Sequence, residues 1–195
     1  NALVENAKSL LQARAGAIAK QVELFLQSAA DDLQALSLLP PDPLVYLEFS
    51  RTRTREIWIR AGTPESPGEQ RQIIPLYPEI TYIDASGTEL IRIRGEQGLV
   101  PGRDLSEPFS TPFGTEDYFN QAKASAPIPY VSHLLGRHVR KAEQLGDAAD
   151  VEHALTGAAY RGIIRFATEV VREGRFRGVV SLALDHRHLM EYTQH

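Results

Sequence analysis

The residues best equipped for chemistry in this chain are arginines set on an alternating run. Leu90-Ile91-Arg92-Ile93-Arg94 alternates apolar with long polar side chains, the period-two mark of a half-buried strand. Leu90, Arg92 and Arg94 then fall on one face, Ile91 and Ile93 on the other. A guanidinium held on a strand offers two parallel donors and suits a ligand carboxylate. Arg165 lies in a second β-rich run, and Tyr130, Ser132 and His133 in a short strand candidate; all could converge with Arg92 and Arg94 on one cavity. Two other readings of Arg92 stand beside this one: a solvated face, or an ion pair with an internal carboxylate such as Glu79 or Asp84.

Other clusters are weaker. His186 and His188 sit two apart beside Asp185, but a metal needs further ligands that the spacing does not supply, so a solvated helix start is expected. Asp147, Asp150 and Glu152 lack the spacing and glycine of a calcium loop. No G-x-S-x-G, P-loop, G-x-G-x-x-G or H-E-x-x-H occurs. The chain is therefore read as a non-enzyme, with no catalytic residue, cofactor or metal expected. The absence of cysteine removes disulfides and thiolate chemistry, and a net charge of -4 gives no basic face for nucleic acid. No run of about 18 apolar residues is present to span a membrane.

The elements that must position these residues follow from patterning. Val4, Leu11, Ala15, Ile18, Val22, Phe25, Ala29 and Leu36 recur at four-three spacing, close to a heptad seam, and predict a helix over 2–38. Asp32 interrupts the seam, and Pro40-Pro41-Asp42-Pro43 ends it. Some 35 residues make a rod of roughly 50 Å, against a diameter near 40 Å for a globule of this length. The first turns are expected to protrude or to pair with a second copy. Leu44, Leu47, Arg51 and Trp58 predict a second helix over 44–58, and the Pro/Gly-containing stretch 61–72 a surface loop.

A hairpin is expected over 81–96, turning at Asp84-Ala85-Ser86-Gly87, and another over 162–185, turning at Arg172-Glu173-Gly174-Arg175. Between them, 95–115 reads as irregular. Thr115 is expected to cap a helix with Glu116 and Asp117 in its first turn. Residues 128–135 read as a short strand, 136–159 as a loop with some helix, and 186–195 as a helical start after Asp185.

In that order the motifs resemble the Cache domain, the PAS-like extracytoplasmic sensor of bacterial histidine kinases, chemoreceptors and cyclases. The residues carrying the resemblance are Tyr77-Pro78-Glu79-Ile80-Thr81-Tyr82-Ile83-Asp84 with Gly87, Glu89 and Arg92; Asp117-Tyr118-Phe119 leading to Tyr130-Val131-Ser132; Arg165-Phe166-Ala167-Thr168; and Phe176-Arg177-Gly178-Val179-Val180, ending at Asp185 and Leu189. The resemblance implies an α+β fold: a PAS-like five-stranded antiparallel sheet with the long N-terminal helix packed across one face. Residues 1–40 would form that helix and 41–195 the sensor body. It also implies a small-molecule pocket between the sheet and its covering loops, and transmembrane helices flanking Asn1 and His195. The expected function is periplasmic ligand sensing, with an organic or amino acid as ligand and a homodimer through the N-terminal helix. A dimerisation or protein-interaction module of the same fold, without ligand, is the alternative.

Overall fold

The computed structural model describes residues 2–63, 66–107, 116–133 and 162–192. Helix α1 (Ala2–Leu38) is unbroken. Its side chains from Leu3 to Ala17 are all exposed, and contact with the body begins at Ile18 and Val22. From there Phe25, Leu26, Ala29, Leu33 and Leu36 face the sheet, so the predicted seam holds in its second half while the first half projects. Asp32 does not merely interrupt the seam. Its carboxylate accepts from Tyr77 Oη at 2.7 Å and from Arg53 Nε at 3.2 Å, tying α1 to the segments beneath it. No basic residue occupies the last turn of α1, and Arg172 fills that role by donating to the Ser37 carbonyl at 2.6 Å.

Helix α2 (Pro43–Thr52) starts where Asp42 accepts from the Leu44 and Val45 amides, with proline at its first position. It stops six residues short of the expected end. Trp58 instead lies on β1 (Thr54–Thr63), which pairs antiparallel with β2 (Ser66–Pro75). The β-branched and aromatic run Ile57-Trp58-Ile59 overrides the helical spacing. Residues 61–63 and 66–72, expected within a surface loop, thus belong to a two-stranded ribbon, held at its base by buried Ile57 and Ile74.

The main sheet contains β3 (Glu79–Asp84), β4 (Glu89–Arg94), β5 (Gly98–Leu99), β6 (Tyr130–Val131), β7 (Ile163–Arg172) and β8 (Arg175–Asp185), in the antiparallel order β5-β4-β3-β8-β7-β6. Among the described residues it therefore has six strands rather than the expected five, the two outermost being two residues long. Both predicted hairpins form. Their central strands β3 and β8 pair with each other, which joins the two hairpins into one sheet.

Period-two alternation sorts the faces. Ile80, Tyr82, Ile91, Ile93, Ile164, Phe166, Val180, Leu182 and Leu184 pack under α1 and α2. On the other face, Ile83, Ala167 and Val179 pack with Leu105 and with Tyr118, Phe119 and Ala122 of α3 (Tyr118–Ser125). Asp117 stands at the head of α3 without a side-chain cap bond, and Glu116, expected in the first turn, precedes the helix and is buried. Thr115, Leu134, Leu135 and 136–159 lie outside the described residues. A short helix α4 (Arg187–Met190) follows β8.

Gly178 and Gly174 separate two uses of glycine. A Cβ on Gly178 would sit 2.0 Å from the Ile83 carbonyl oxygen on β3, with φ at +155°, whereas one on Gly174 (φ +72°) meets nothing within 4 Å. Gly174→Ala is expected to cost about 1–2 kcal/mol of backbone strain. Gly178→Ala adds displacement of the paired strand and should cost ~3 kcal/mol or more. Urea unfolding of the two variants checks this, and equal losses would contradict it.

Candidate functional site

The face of the sheet turned away from α1 carries the polar side chains. The register places Arg92, Thr81, Ser181, Ala167 and Tyr130 in one row across five strands. The next row runs Arg94, Glu79, Ala183 and Arg165. Adjacent strands lie about 4.8 Å apart, so Arg165 must reach across β8 to meet Glu79, and the small side chains Ala183 and Ser181 leave it room.

It does so. Arg165 is 2% exposed, and its Nη2 donates to Glu79 Oε1 at 2.9 Å and its Nη1 to Ser181 Oγ at 3.3 Å. The guanidinium carbon lies 4.4 Å from the centre of the Tyr118 ring, a cation–π contact away from water. From the opposite side, Arg92 Nε and Nη2 donate to Glu79 Oε2 at 3.1 and 2.9 Å. The internal-carboxylate reading of Arg92 thus describes this state, with Glu79 as partner. Asp84 is occupied instead by its own turn, accepting from the Ser86 and Thr88 amides.

Arg103 completes the cluster, and two close approaches position it. The 100–107 segment lies along β4: Val100 N–H donates to the Arg92 carbonyl, Glu89 N–H to the Arg103 carbonyl, and Leu105 N–H to the Gly87 carbonyl. A Cβ on Gly102 would fall 1.9 Å from the Glu89 carbonyl oxygen, so only glycine lets the segment lie so near. Arg103 then clamps Glu89 through Nε and Nη2 at 3.0 and 2.9 Å and donates through Nη1 to Glu116, just before α3. Glu89 reaches this face only through a β-bulge: Tyr82 pairs with Ile91 and Ile83 with Glu89, so Leu90 is the extra residue and is exposed. Leu90 therefore stands outside the paired register that holds Arg92 and Arg94. Tyr118 Oη donates to Glu89 Oε1 at 2.9 Å, and burial pushes its hydroxyl far above the usual range, so it stays a donor.

The other sequence-derived residues stand further out. Arg94 is half exposed at the rim, 3.7 Å from Glu79. Tyr130 packs against the apolar cluster under α3. Ser132 extends the β6–β7 ladder, its Oγ accepting from Arg165 N–H at 2.8 Å, and His133 is exposed. Of these last three, Ser132 meets Arg165 through its main chain rather than its guanidinium. Two polar atoms on this face, Arg165 Nε and Thr81 Oγ1, are buried and have no hydrogen-bond partner among the described residues. A crevice of about 210 Å³ lies elsewhere, between the end of α1 and β7. Among the described residues no group of three or more histidine, aspartate or glutamate side chains is placed to hold a metal ion, and no helix is long and apolar enough to cross a membrane. His188, expected in a solvated helix start, is fully buried.

Burial alone would raise the Glu79 carboxyl. The guanidinia of Arg165, Arg92 and Arg103 outweigh it and lower the group from 4.5 to about 2. A lowered folded value contributes stability above pH 4.5 that is lost as pH falls toward 2, on the order of 3 kcal/mol. Glu79→Gln is therefore expected to remove this pH dependence. At pH 7 it should cost roughly 3–5 kcal/mol, because buried Arg165 and the partly buried Arg92 and Arg103 lose their shared partner. Replacing Glu79 and Arg165 together by methionine should recover much of that loss. Acid titration of unfolding free energy checks the set, and an unchanged slope between pH 4.5 and 2 in Glu79→Gln would contradict it.

No family model matches the chain, and no curated protein matches it. Among solved structures, it is similar to the ligand-binding domain of the Campylobacter jejuni chemoreceptor Tlp3 in complex with 4-methylisoleucine, with a TM-score of 0.52, 10% identity, and coverage of 90% of this chain and 57% of that one. The chain thus spans just over half the length of that chain, and it shares its α+β fold of a long N-terminal helix and an antiparallel sheet. Partial likenesses to the extracellular domain of a histidine kinase (18% identity, 58% of this chain and 35% of that one) and to a domain of a sensory box/GGDEF family protein from Vibrio parahaemolyticus (19%, 56% and 36%) have TM-scores of 0.38 and 0.33 and carry no argument.

Proposed function

We propose that this chain is the extracytoplasmic ligand-sensing part of a bacterial transmembrane receptor, whether kinase, chemoreceptor or cyclase. It binds a small organic or amino acid on the sheet face opposite α1 and acts as a sensor rather than an enzyme. The observation that carries the reading is the buried Arg165 guanidinium, laid over the small side chains of Ser181 and Ala183 beneath α3. Its Nε and the Thr81 hydroxyl on the same face remain open to an acceptor among the described residues. The likeness to a chemoreceptor domain solved with an amino acid supports the ligand class. Arg92, Arg94 and Arg165 are the proposed ligand contacts, with Tyr130, Ser132 and His133 along the adjoining edge.

A ligand carboxylate on this face competes with Glu79 and Glu116 for the same guanidinia. It shifts the domain only as far as it prefers one arrangement over the other; each tenfold preference is about 1.4 kcal/mol. The 100–107 segment and α3, tied through Arg103 and Glu116, are the parts such competition would move. The readout passes to a second copy through the projecting half of α1, whose Leu3, Val4, Leu10 and Leu11 are exposed. An isolated helix gains little from an apolar stripe left in water. One observation favours the alternative, an interaction module of the same fold without ligand: each guanidinium of the cluster already holds an internal carboxylate.

A thermal-shift screen against small carboxylates and amino acids separates the two. A ligand at 100 times its Kd should stabilise by about 2.7 kcal/mol, and Arg92→Ala should abolish the response. A flat screen supports the interaction module, and an undiminished response in Arg92→Ala removes Arg92 from the site. Leu10→Glu combined with Leu11→Glu is expected to yield monomer in sedimentation velocity, with melting of the body unchanged. A dimer surviving this change would place the contact elsewhere.

A further inference from the structure

One buried titratable group has no part in the sensing site. The His188 ring is fully buried, and its Nε2 lies 3.0 Å from the carbonyl oxygen of Pro75 at the end of β2. A carbonyl only accepts, so Nε2 carries the proton, and Nδ1 is the bare nitrogen of a neutral ring. Nδ1 has no hydrogen-bond partner among the described residues.

Three parts of the molecule close around this ring. Phe25 of α1 stands 6.2 Å from it and 5.8 Å from Tyr192, centre to centre. Arg55 of β1 lies 5.3 Å over both Phe25 and Tyr192 and donates to Tyr192 Oη at 2.8 Å. Trp58 N–H, on the same strand, donates to Glu191 Oε1 at 2.9 Å. The ribbon is therefore a strap from α1 to the segment that follows β8.

We infer that His188 is the pin of a proton-sensitive clasp holding the segment after β8 to α1 and to the ribbon, and that protonation of its ring opens the clasp. A proton on Nδ1 would enter a buried space without an acceptor. The charged groups facing the ring are Arg55 from β1, Arg187 from its own turn and Asp185 from the end of β8. Two are cations, and the one carboxylate is already committed to Arg187 through its amide, Nε and Nη2. Glu191 is engaged by Trp58, and from α1 the Phe25 ring faces His188. Burial foremost, then Arg55 and Arg187, hold the ring below its ordinary value near 6.5, against the Pro75 carbonyl and Asp185. The opened state thus binds the proton first: the clasp is fully held above about pH 6.5 and weakens as pH falls below it.

As an output element the clasp rests on the sensor reading, but its closure does not, so a titration without ligand tests it separately. Trp58 is the only tryptophan and sits in the strap. Emission of the whole chain, followed from pH 8 to 5, should shift with a midpoint below 6.5. The shift should vanish in His188→Phe and persist in His186→Gln. Nitrogen-15 spectra of the parent's imidazoles give a second measure, independent of whether the variant folds: His188 should be the Nε2–H tautomer at pH 7 and should titrate together with Trp58. A flat emission profile, a shift that survives His188→Phe, or a His188 ring that titrates without Trp58 would overturn the clasp.

Discussion

The structure depends on one buried carboxylate. Glu79 sits on the central pair of strands and is shared by Arg92, Arg165 and, at 3.6 Å, Arg103. Three guanidinia that close together, away from bulk water, repel one another and lose hydration; a carboxylate among them makes the arrangement tolerable. Glu89 and Glu116 complete it, so that among the described residues three guanidinia meet three carboxylates, with Arg94 at the rim. Because Arg103 and Glu116 come from the covering segments, the same network holds those segments onto the sheet.

Glu79 also lies two residues from Tyr77, whose hydroxyl bonds to Asp32 of α1. The chain passes from the helix-bearing face to the arginine-bearing face across Pro78, whose carbonyl accepts from Gly95 N–H. The polar face and the long helix are thus joined by a short, buried stretch of backbone. For the proposed sensor, this stretch is a covalent link between the ligand face and α1. Two discrete arrangements of such a packed element are what a signal needs.

Much of the fold was legible because it follows from local periodicity. The long helix, both hairpins, the glycine-bearing turns and the shared sheet of Arg92 and Arg165 all come from patterns of two or three-and-a-half. The ribbon was not legible: its prolines and glycines read as a loop, and only strand pairing makes 54–63 and 66–75 extended. The site was half legible. Arginines on strands were visible, and Glu79 was a named partner for Arg92. Glu89 was hidden because a bulge at Leu90 changes its face, and nothing in the alternation announces a bulge. Arg103 stands in an irregular segment without a period, and its role comes wholly from the close approach at Gly102. His188 misled for a related reason: a short helix start looks solvated until Phe25 and Pro75 close over it.

The central claim is that the Arg165 guanidinium, beneath α3 and on the sheet face opposite α1, is where a ligand acts. The most direct measurement is the proton–nitrogen spectrum of the arginine Nε groups, recorded with and without a stabilising carboxylate or amino acid. The account predicts that the Arg165 Nε–H signal, protected from exchange by burial, shifts on binding together with that of Arg92. Perturbation confined to exposed arginines such as Arg71 and Arg175, with the Arg165 signal unmoved, would contradict it.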